Sequence, residues 1–297
     1  MQPLAAWLVA RPQNAVLVLA TTLLMPVLQV LSGIVMVLLV LKQGVRLAVT
    51  EGVIAGTLLL LIALVVGAPL MQIVASMLTT WLPAVLLGAV LQITRSLTLT
   101  MQVSVLVAVL LTFGFHVVVG DVVAYWEPVT AAMLQWARDN GLHEQAQLMA
   151  SDPGMTANMV TIAIVLSSWM LYVLYLLFGY RVYASVSEDT GTYGRFCDLN
   201  FGRVLALILA IASLLAVASE MAVLQNVAFV MFAMFWIQGL AVVHWMHAER
   251  QLPLFVVIAT YVLMLMPMLN VFLILTLAIV GYVDAWFGFR RRAAVKQ

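Results

Sequence analysis

The sequence predicts an all-α, polytopic integral membrane protein, a helical bundle of about 8–10 spans, and three observations lead to that prediction. Hydrophobic residues make up 65% of the chain and charged residues only 8%, whereas soluble domains are roughly 45–50% apolar and about 25% charged. The mean hydropathy is +1.15. The apolar residues form runs of at least the roughly 20 residues that a helix needs to cross a bilayer. A water-soluble protein is excluded, and runs that are apolar on every side favour helices over barrel strands.

Six apolar runs follow one another along the chain: residues 15–41, 52–94, 96–120, 155–180, 204–248 and 251–283. The second run is long enough for two spans, with a turn predicted at residues 67–69, where glycine and proline interrupt a helix. The third and fourth runs predict one span each. The fifth predicts two spans that turn near residues 220–226, and the sixth predicts two shorter spans that turn near residues 267–270.

The first run has two interpretations, because its length is long for one span and short for two. Pro26 and residues 31–33 offer a place to turn. If Arg11 lies inside the cell, the run is a short hairpin and the total is about ten spans; a single tilted helix gives about nine, with the N-terminus outside. An even number is favoured. Arg11 follows the apolar N-terminal residues, which is the wrong charge order for a cleaved signal peptide.

The distribution of charge predicts the orientation of the protein in a bacterial inner membrane. Lysine and arginine are concentrated at Lys42 and Arg46, at Arg95, in residues 181–203, at Arg250, and at Arg290, Arg291, Arg292 and Lys296. The positive-inside rule makes these segments and the C-terminus cytoplasmic. The acidic segment 121–152 then lies outside. In chain order we expect N-terminal membrane helices (1–119), an outer, periplasmic amphipathic segment (120–157) and C-terminal membrane helices (158–297), all within one membrane domain.

The outer segment predicts an amphipathic helix, with Pro128 in its first turn and Gly141 as its C-terminal cap. Its apolar and aromatic side chains recur at helical spacing or lie beside that stripe: Tyr125, Trp126, Val129, Met133 and Trp136. The favoured interpretation is an anchor at the level of the lipid headgroups, where Trp and Tyr are enriched. The alternative is a lid over an outward-facing cavity.

Ionisable residues within membrane spans are costly and are therefore candidates for function. The residues assigned to a ligand cavity or its lid are His116, Asp121, Tyr125, Trp126, Trp136 and Glu220. The plainer interpretations are an interfacial histidine facing water for His116 and a hairpin residue for Glu220. Uncharged polar residues in the spans, such as Gln225, Asn226 and Gln238, are interpreted as contacts between helices.

Two further sets of residues are considered, a possible ion pair and a possible metal site. Asp284 is expected to form an ion pair at the inner interface with Arg290 and Arg291. His244 and His247 share a helix face at a spacing that metal ligands use. They are only weak candidates because no third ligand has a suitable spacing, so the sequence predicts no metal site and no cofactor. Phosphate-binding loops and hydrolase motifs are also absent from the sequence, which argues against an enzyme.

Three stretches of the chain follow a pattern found in a known family. They are Pro26 followed by Lys-Gln-Gly-Val at 42–45; Gly-Ala-Pro-Leu at 67–70 followed by Leu82, Pro83 and Gly88; and Asn226 followed by Gln-Gly-Leu at 238–240 and Gly-Tyr-Val-Asp-Ala-Trp-Phe-Gly-Phe-Arg at 281–290. In these stretches the chain resembles the YybS-like family of uncharacterised bacterial membrane proteins. The resemblance spans nearly the whole chain. It implies distant kinship with the substrate-binding S components of energy-coupling-factor vitamin transporters and with the rod-shape protein MreD. It therefore implies a core of short packed helices.

Two functional hypotheses follow. The first is a non-enzymatic membrane protein that binds, or helps to transport, a small or lipidic molecule. The alternative is a structural or assembly partner in a cell-envelope complex, with another membrane protein as its partner. The lipid bilayer is a partner in either case, and nucleic acid in neither. An ion-coupled carrier ranks third, because few charged residues lie within the spans.

Overall fold

A computed structural model of the protein describes residues 2–25, 28–186, 193–219, 221–266 and 269–290. Over these residues the chain forms thirteen α-helices, one short 3-10 helix at Phe196–Asp198, and no strand. The α-helices are α1 (Gln2–Ala10), α2 (Pro12–Leu24), α3 (Gln29–Gln43), α4 (Val45–Val66), α5 (Leu70–Thr94), α6 (Leu97–Val119), α7 (Val122–Asp139), α8 (His143–Ser151), α9 (Pro153–Val186), α10 (Gly202–Ser219), α11 (Ala222–Ala248), α12 (Leu254–Met264) and α13 (Leu269–Phe287). The predicted all-α class is confirmed.

Seven helices in the described ranges are long and apolar enough to cross a membrane, judged by length and composition: α4, α5, α6, α9, α10, α11 and α13. Helices α2, α3 and α12 are shorter and also apolar. The protein is therefore a polytopic helical membrane protein. The first apolar run is divided between α2 and α3, which corresponds to the hairpin interpretation rather than to a single tilted helix. Pro26, which was predicted to turn it, lies outside the described residues.

Most predicted turns fall where the helices end, because glycine and proline act locally. Gly67 follows α4 in a left-handed conformation with φ of 73°, and α5 begins directly after Pro69. Helices α10 and α11 are separated next to Glu220, and α12 and α13 are separated near Pro267. Glu220 and Pro267 themselves lie outside the described residues.

The outer segment departs from its prediction in two ways. Helix α7 begins at Val122, and Pro128 lies inside it instead of in its first turn. The earlier start follows from Asp121, whose carboxylate accepts a hydrogen bond of 3.0 Å from the Ala124 backbone N–H and caps the helix. The chain also forms a second helix, α8, which the sequence analysis did not predict. Gly141 follows α7 with φ of 75°, so its predicted role at the end of that helix is confirmed.

The chain forms two compact units, Met1–Met101 with Trp169–Arg195, and Gln102–Ser168 with Phe196–Gln297. In the first unit, α3 packs against α2, α4 and α5. A Cβ atom added to Gly33 would lie 2.5 Å from the ring of Tyr175, so α9 approaches α3 closely there. Trp81 on α5 donates a 2.8 Å hydrogen bond to the Ser32 hydroxyl. These two units are defined by contacts between residues and each combines separate stretches of the chain. The division predicted from the sequence, into segments 1–119, 120–157 and 158–297, stays a prediction.

In the second unit, α11 is the most buried helix and α13 packs along it. A Cβ atom on Gly239 would overlap the backbone of Leu277, and one on Gly281 would overlap the backbone of Phe235. The two helices therefore cross in backbone contact, which only glycine permits at these positions. Helix α10 packs against α11, and the Tyr282 hydroxyl on α13 reaches the Ala206 carbonyl.

Candidate functional site

A chain of polar side chains links α6, α9 and α11 in the second unit. His116 Nδ1 lies 2.9 Å from the Thr112 carbonyl oxygen, which only accepts hydrogen bonds, so Nδ1 carries a hydrogen. His116 Nε2 then accepts from the Asn226 amide, at 3.1 Å. The same Asn226 nitrogen donates to Asn158 Oδ1, also at 3.1 Å. Asn226 is only 3% exposed, so this polar chain lies inside the helical packing.

A groove of about 520 Å³ opens beside this chain, between α9 and the start of α11. Its polar lining comes from Asp152, Asn158, Gln225 and Asn226. Its apolar lining comes from Met155, Met159, Ile162 and Phe229. We call it the amide groove, because three of its four polar side chains are amides. Polar and apolar walls in one groove are suited to a molecule that has a polar and an apolar part.

The aromatic residues at the start of α7 fix that helix against its neighbours. Trp126 Nε1 donates a 2.9 Å hydrogen bond to the Thr161 hydroxyl on α9, one residue before Ile162 of the amide groove. Phe115 on α6 packs edge-to-face on Tyr125, with ring centroids 5.3 Å apart, and also contacts Trp126. Of the predicted cavity residues, Asp121, Tyr125 and Trp126 therefore position α7, and His116 supports the groove from behind Asn226.

A second groove, of about 620 Å³, lies between α7 and α8 and is lined almost entirely by apolar side chains, among them Val129, Met133 and Met149. Trp136 lies on its edge and is 62% exposed. We call it the α7–α8 groove. An exposed apolar face of this kind on a helix outside the spans is typical of a segment that rests on a membrane surface.

Asp284 forms a buried polar network at the far end of α13. Its Oδ2 accepts from Arg290 Nη2 at 2.6 Å and from Gln238 Nε2 at 2.8 Å. Asp284 is 0% exposed and Arg290 only 8%. Arg290 also donates to the backbone carbonyls of Cys197 and Leu199, which attaches the loop before α10 to α13. Arg291, the other predicted member of the ion pair, lies outside the described residues.

The two histidines considered as metal ligands bind different partners. His244 Nε2 lies 2.8 Å from the Tyr261 hydroxyl, and His247 Nδ1 lies 3.0 Å from the Leu252 carbonyl oxygen. Within the described part of the chain, no three His, Cys, Asp or Glu side chains are grouped so that they could hold a metal ion.

Sequence reasoning missed Asn158 and interpreted Gln225 and Asn226 only as packing contacts. The available signal was weak: all three are uncharged polar residues, Asn158 near the start of the fourth apolar run and Gln225 and Asn226 at the predicted turn within the fifth. Their grouping depends on contacts between residues that are 68 positions apart in the chain, for Asn158 and Asn226, and 110 apart, for His116 and Asn226. Glu220, which was predicted to face the cavity, lies outside the described residues.

Comparison with known proteins identifies a family. A family model described as "Predicted membrane protein (DUF2232)" matches residues 14–285. Neither the curated proteins nor the solved structures include a match. The YybS-like resemblance and the kinship with S components and MreD stay predictions. Since the match covers nearly all of the helices described above, the chain belongs to the DUF2232 family of predicted membrane proteins.

Proposed function

We propose that this protein binds an amphiphilic molecule in the amide groove, at the outer face of a bacterial inner membrane, and that it does so without catalysis. The observation that carries the proposal is the pairing of Asn158, Gln225 and Asn226 with an apolar wall in one groove of about 520 Å³. Sites for small molecules are typically about 300–1,000 Å³, mostly apolar, with a few polar groups that fix orientation.

The polar head of the ligand is uncharged or carries a positive charge. Amide side chains both donate and accept hydrogen bonds, which suits hydroxyl, amide or sugar groups. The charged residue in the lining is Asp152, and the surrounding segment 121–152 holds five acidic residues against Arg138. Such a field repels phosphate and carboxylate groups. The apolar wall, formed by two helices that are candidate spans, suits an acyl or isoprenoid chain.

Binding is favoured over catalysis because the titratable group behind the groove is already engaged. Both ring nitrogens of His116 lie within hydrogen-bond distance of protein atoms, so the ring orients Asn226 instead of facing a reactant. The resemblance to S components, which bind small molecules in a core of short helices, supports the same proposal. The positive-inside pattern supports an outward-facing groove and a cytoplasmic C-terminus.

The test is native mass spectrometry of the protein released gently from its own membrane. We expect a defined amphiphile to remain bound to the unaltered protein and to be lost from Gln225→Leu. The matched control is Gln72→Leu, the same change at an exposed glutamine on α5, which should leave the bound molecule in place. If both variants and the unaltered protein carry the same mixed lipids, the proposal fails.

The second candidate function is an assembly partner in a cell-envelope complex. It is favoured by the attachment of the loop before α10 to α13, since a loop held by Arg290 presents a fixed surface. The same mass spectra distinguish the two candidates. A partner subunit that remains bound in the absence of any amphiphile would favour assembly and exclude the binding proposal.

A further inference from the structure

Glu51 on α4 is a buried acidic residue in an otherwise apolar region. It is the only Asp or Glu in the first 120 residues of the sequence. Its exposed fraction is 6%, and it lies on the same helix face as Ala48, Gly52 and Ala55, which are also buried. Arg46, near the start of α4, comes five residues earlier, so Glu51 lies about 7.5 Å further along the helix. The carboxyl group is therefore inside the packing rather than at the charged end of α4.

The hydrogen-bond partner of Glu51 is an uncharged amide. Gln43 Nε2 donates to Glu51 Oε2 at 2.5 Å. Gln43 is the last residue of α3, and Gly44, with φ of 91°, turns the chain into α4. The C-terminal end of a helix carries partial negative charge on its free carbonyl groups. The N-terminal end of α4, on the other side of Gly44, carries the opposite partial charge, so the two helix ends offset each other and the Gln43 amide is the main compensation of Glu51.

No basic side chain compensates Glu51 in the part of the chain that the structure describes. The helices that pack on α4 are α2, α3 and α5. Helices α2 and α5 contain no titratable residue, and the only one on α3 is Lys42, whose side chain is exposed. Arg46 on α4 itself and Arg95, which follows α5, are exposed as well. Burying an isolated carboxylate in apolar surroundings costs on the order of several kcal/mol, and one amide hydrogen bond offsets only part of that cost.

We propose that Glu51 and Gln43 form a binding site for one monovalent cation, a proton or Na⁺. With a proton bound, Glu51 is a carboxylic acid whose Oε2 accepts from Gln43. With Na⁺ bound, the carboxylate and the Gln43 amide oxygen are ligands, after the amide has rotated. Carboxyl groups within spans commonly mark ion pathways and proton relays in membrane proteins. This site gives the protein a cation-dependent step in addition to amphiphile binding, and it uses none of the residues of the amide groove.

The test is labelling of the whole protein in its native membranes with dicyclohexylcarbodiimide. A carboxylic acid in apolar surroundings adds its O–H across this reagent, and its acyl group then moves to nitrogen to give a stable N-acylurea. In sodium-free buffer at acid pH, peptide mass spectrometry should find the label on Glu51, and the label should decrease as the pH rises. Glu127 and Glu144, on the exposed segment α7–α8, are internal controls and should remain unlabelled.

Sodium then distinguishes the two occupants. If Na⁺ lowers the labelling of Glu51 at fixed pH and K⁺ does not, the site takes Na⁺; if neither ion has an effect, it takes a proton. Gln43→Leu should weaken protection by Na⁺ severalfold, because it removes one ligand and keeps the carboxyl group. An unlabelled Glu51 in sodium-free buffer at acid pH, in a protein whose Glu51 peptide is detected, would overturn the proposal. So would labelling that does not change across the pH series.

Discussion

Asp284 and Glu51 are both buried carboxyl groups on apolar helices, and they are compensated in different ways. Asp284 receives a guanidinium group at 2.6 Å as well as the Gln238 amide. Among the residues that the structure describes, Glu51 receives only the Gln43 amide. A carboxylate paired with an arginine is held in place, whereas an unpaired carboxylate attracts a cation. Asp284 therefore serves to fix the loop before α10, and Glu51 is available to exchange a cation. The presence or absence of an arginine decides between these roles.

The largest effect is expected when the compensation of Asp284 is removed. Arg290→Gln leaves a fully buried carboxylate beside Gln238 alone and should lower the free energy of unfolding by about 3–5 kcal/mol. Chemical unfolding in mixed micelles measures this value. Arg46→Gln, which alters an exposed arginine, is the control and should change it by less than about 0.5 kcal/mol. Equal losses of unfolding free energy in Arg290→Gln and Arg46→Gln would show that the buried ion pair stabilises the protein no more than an exposed arginine does.

The next effect tests the helix contact that surrounds Asp284. Gly281→Ala places a methyl group against the backbone of Phe235, which cannot rotate away, and should cost about 1–3 kcal/mol or more. Gly114→Ala is the matched control, because a Cβ atom there meets nothing within 4 Å. Alanine has the higher helix propensity, so that change should be neutral or should stabilise α6 by up to about 1 kcal/mol. Similar destabilisation by both variants would contradict the close crossing of α11 and α13.

A smaller effect concerns the loop that Arg290 holds. Cys197 is the only cysteine, and its backbone carbonyl accepts from Arg290 Nη1 at 2.6 Å. Arg290→Lys keeps the charge but loses the planar set of donors, so the loop should open more often. The rate at which a membrane-permeant maleimide labels Cys197 should then rise severalfold. Arg46→Lys, the same change at an exposed arginine on α4, provides the control, and an unchanged rate in Arg290→Lys would mean that another contact holds the loop.

The smallest effect is expected at Glu51. Glu51→Gln preserves the shape of the side chain and replaces an exchangeable acid by a neutral amide. The free energy of unfolding should change by less than about 1 kcal/mol, because no arginine is left unpaired. Unfolding in the same micelles allows direct comparison with Arg290→Gln. A loss as large as that of Arg290→Gln would remove the distinction between the two carboxyl groups.

Local features of the sequence were sufficient for the long apolar helices and for most of their ends. Apolar runs predicted the spans, and glycine or proline at Gly67, Pro69 and Gly141 predicted where helices stop, because these residues act through their own backbone. Pro128 was misplaced because the cap at Asp121 starts α7 earlier. Glu51 was overlooked because it lies one residue before the apolar run 52–94, and only ionisable residues within the spans were considered.

The sequence by itself determined that this protein is a helical membrane protein, since length and apolarity are properties of each run alone. Only the tertiary structure decided which polar residues meet. Asn226 joins His116 and Asn158, and Gln238 joins Asp284, across separations of 46 to 110 residues. In a soluble protein an apolar stripe shows which face of a helix is buried. Spans that are apolar on every side carry no such stripe, so the partners of each helix are fixed by packing between helices.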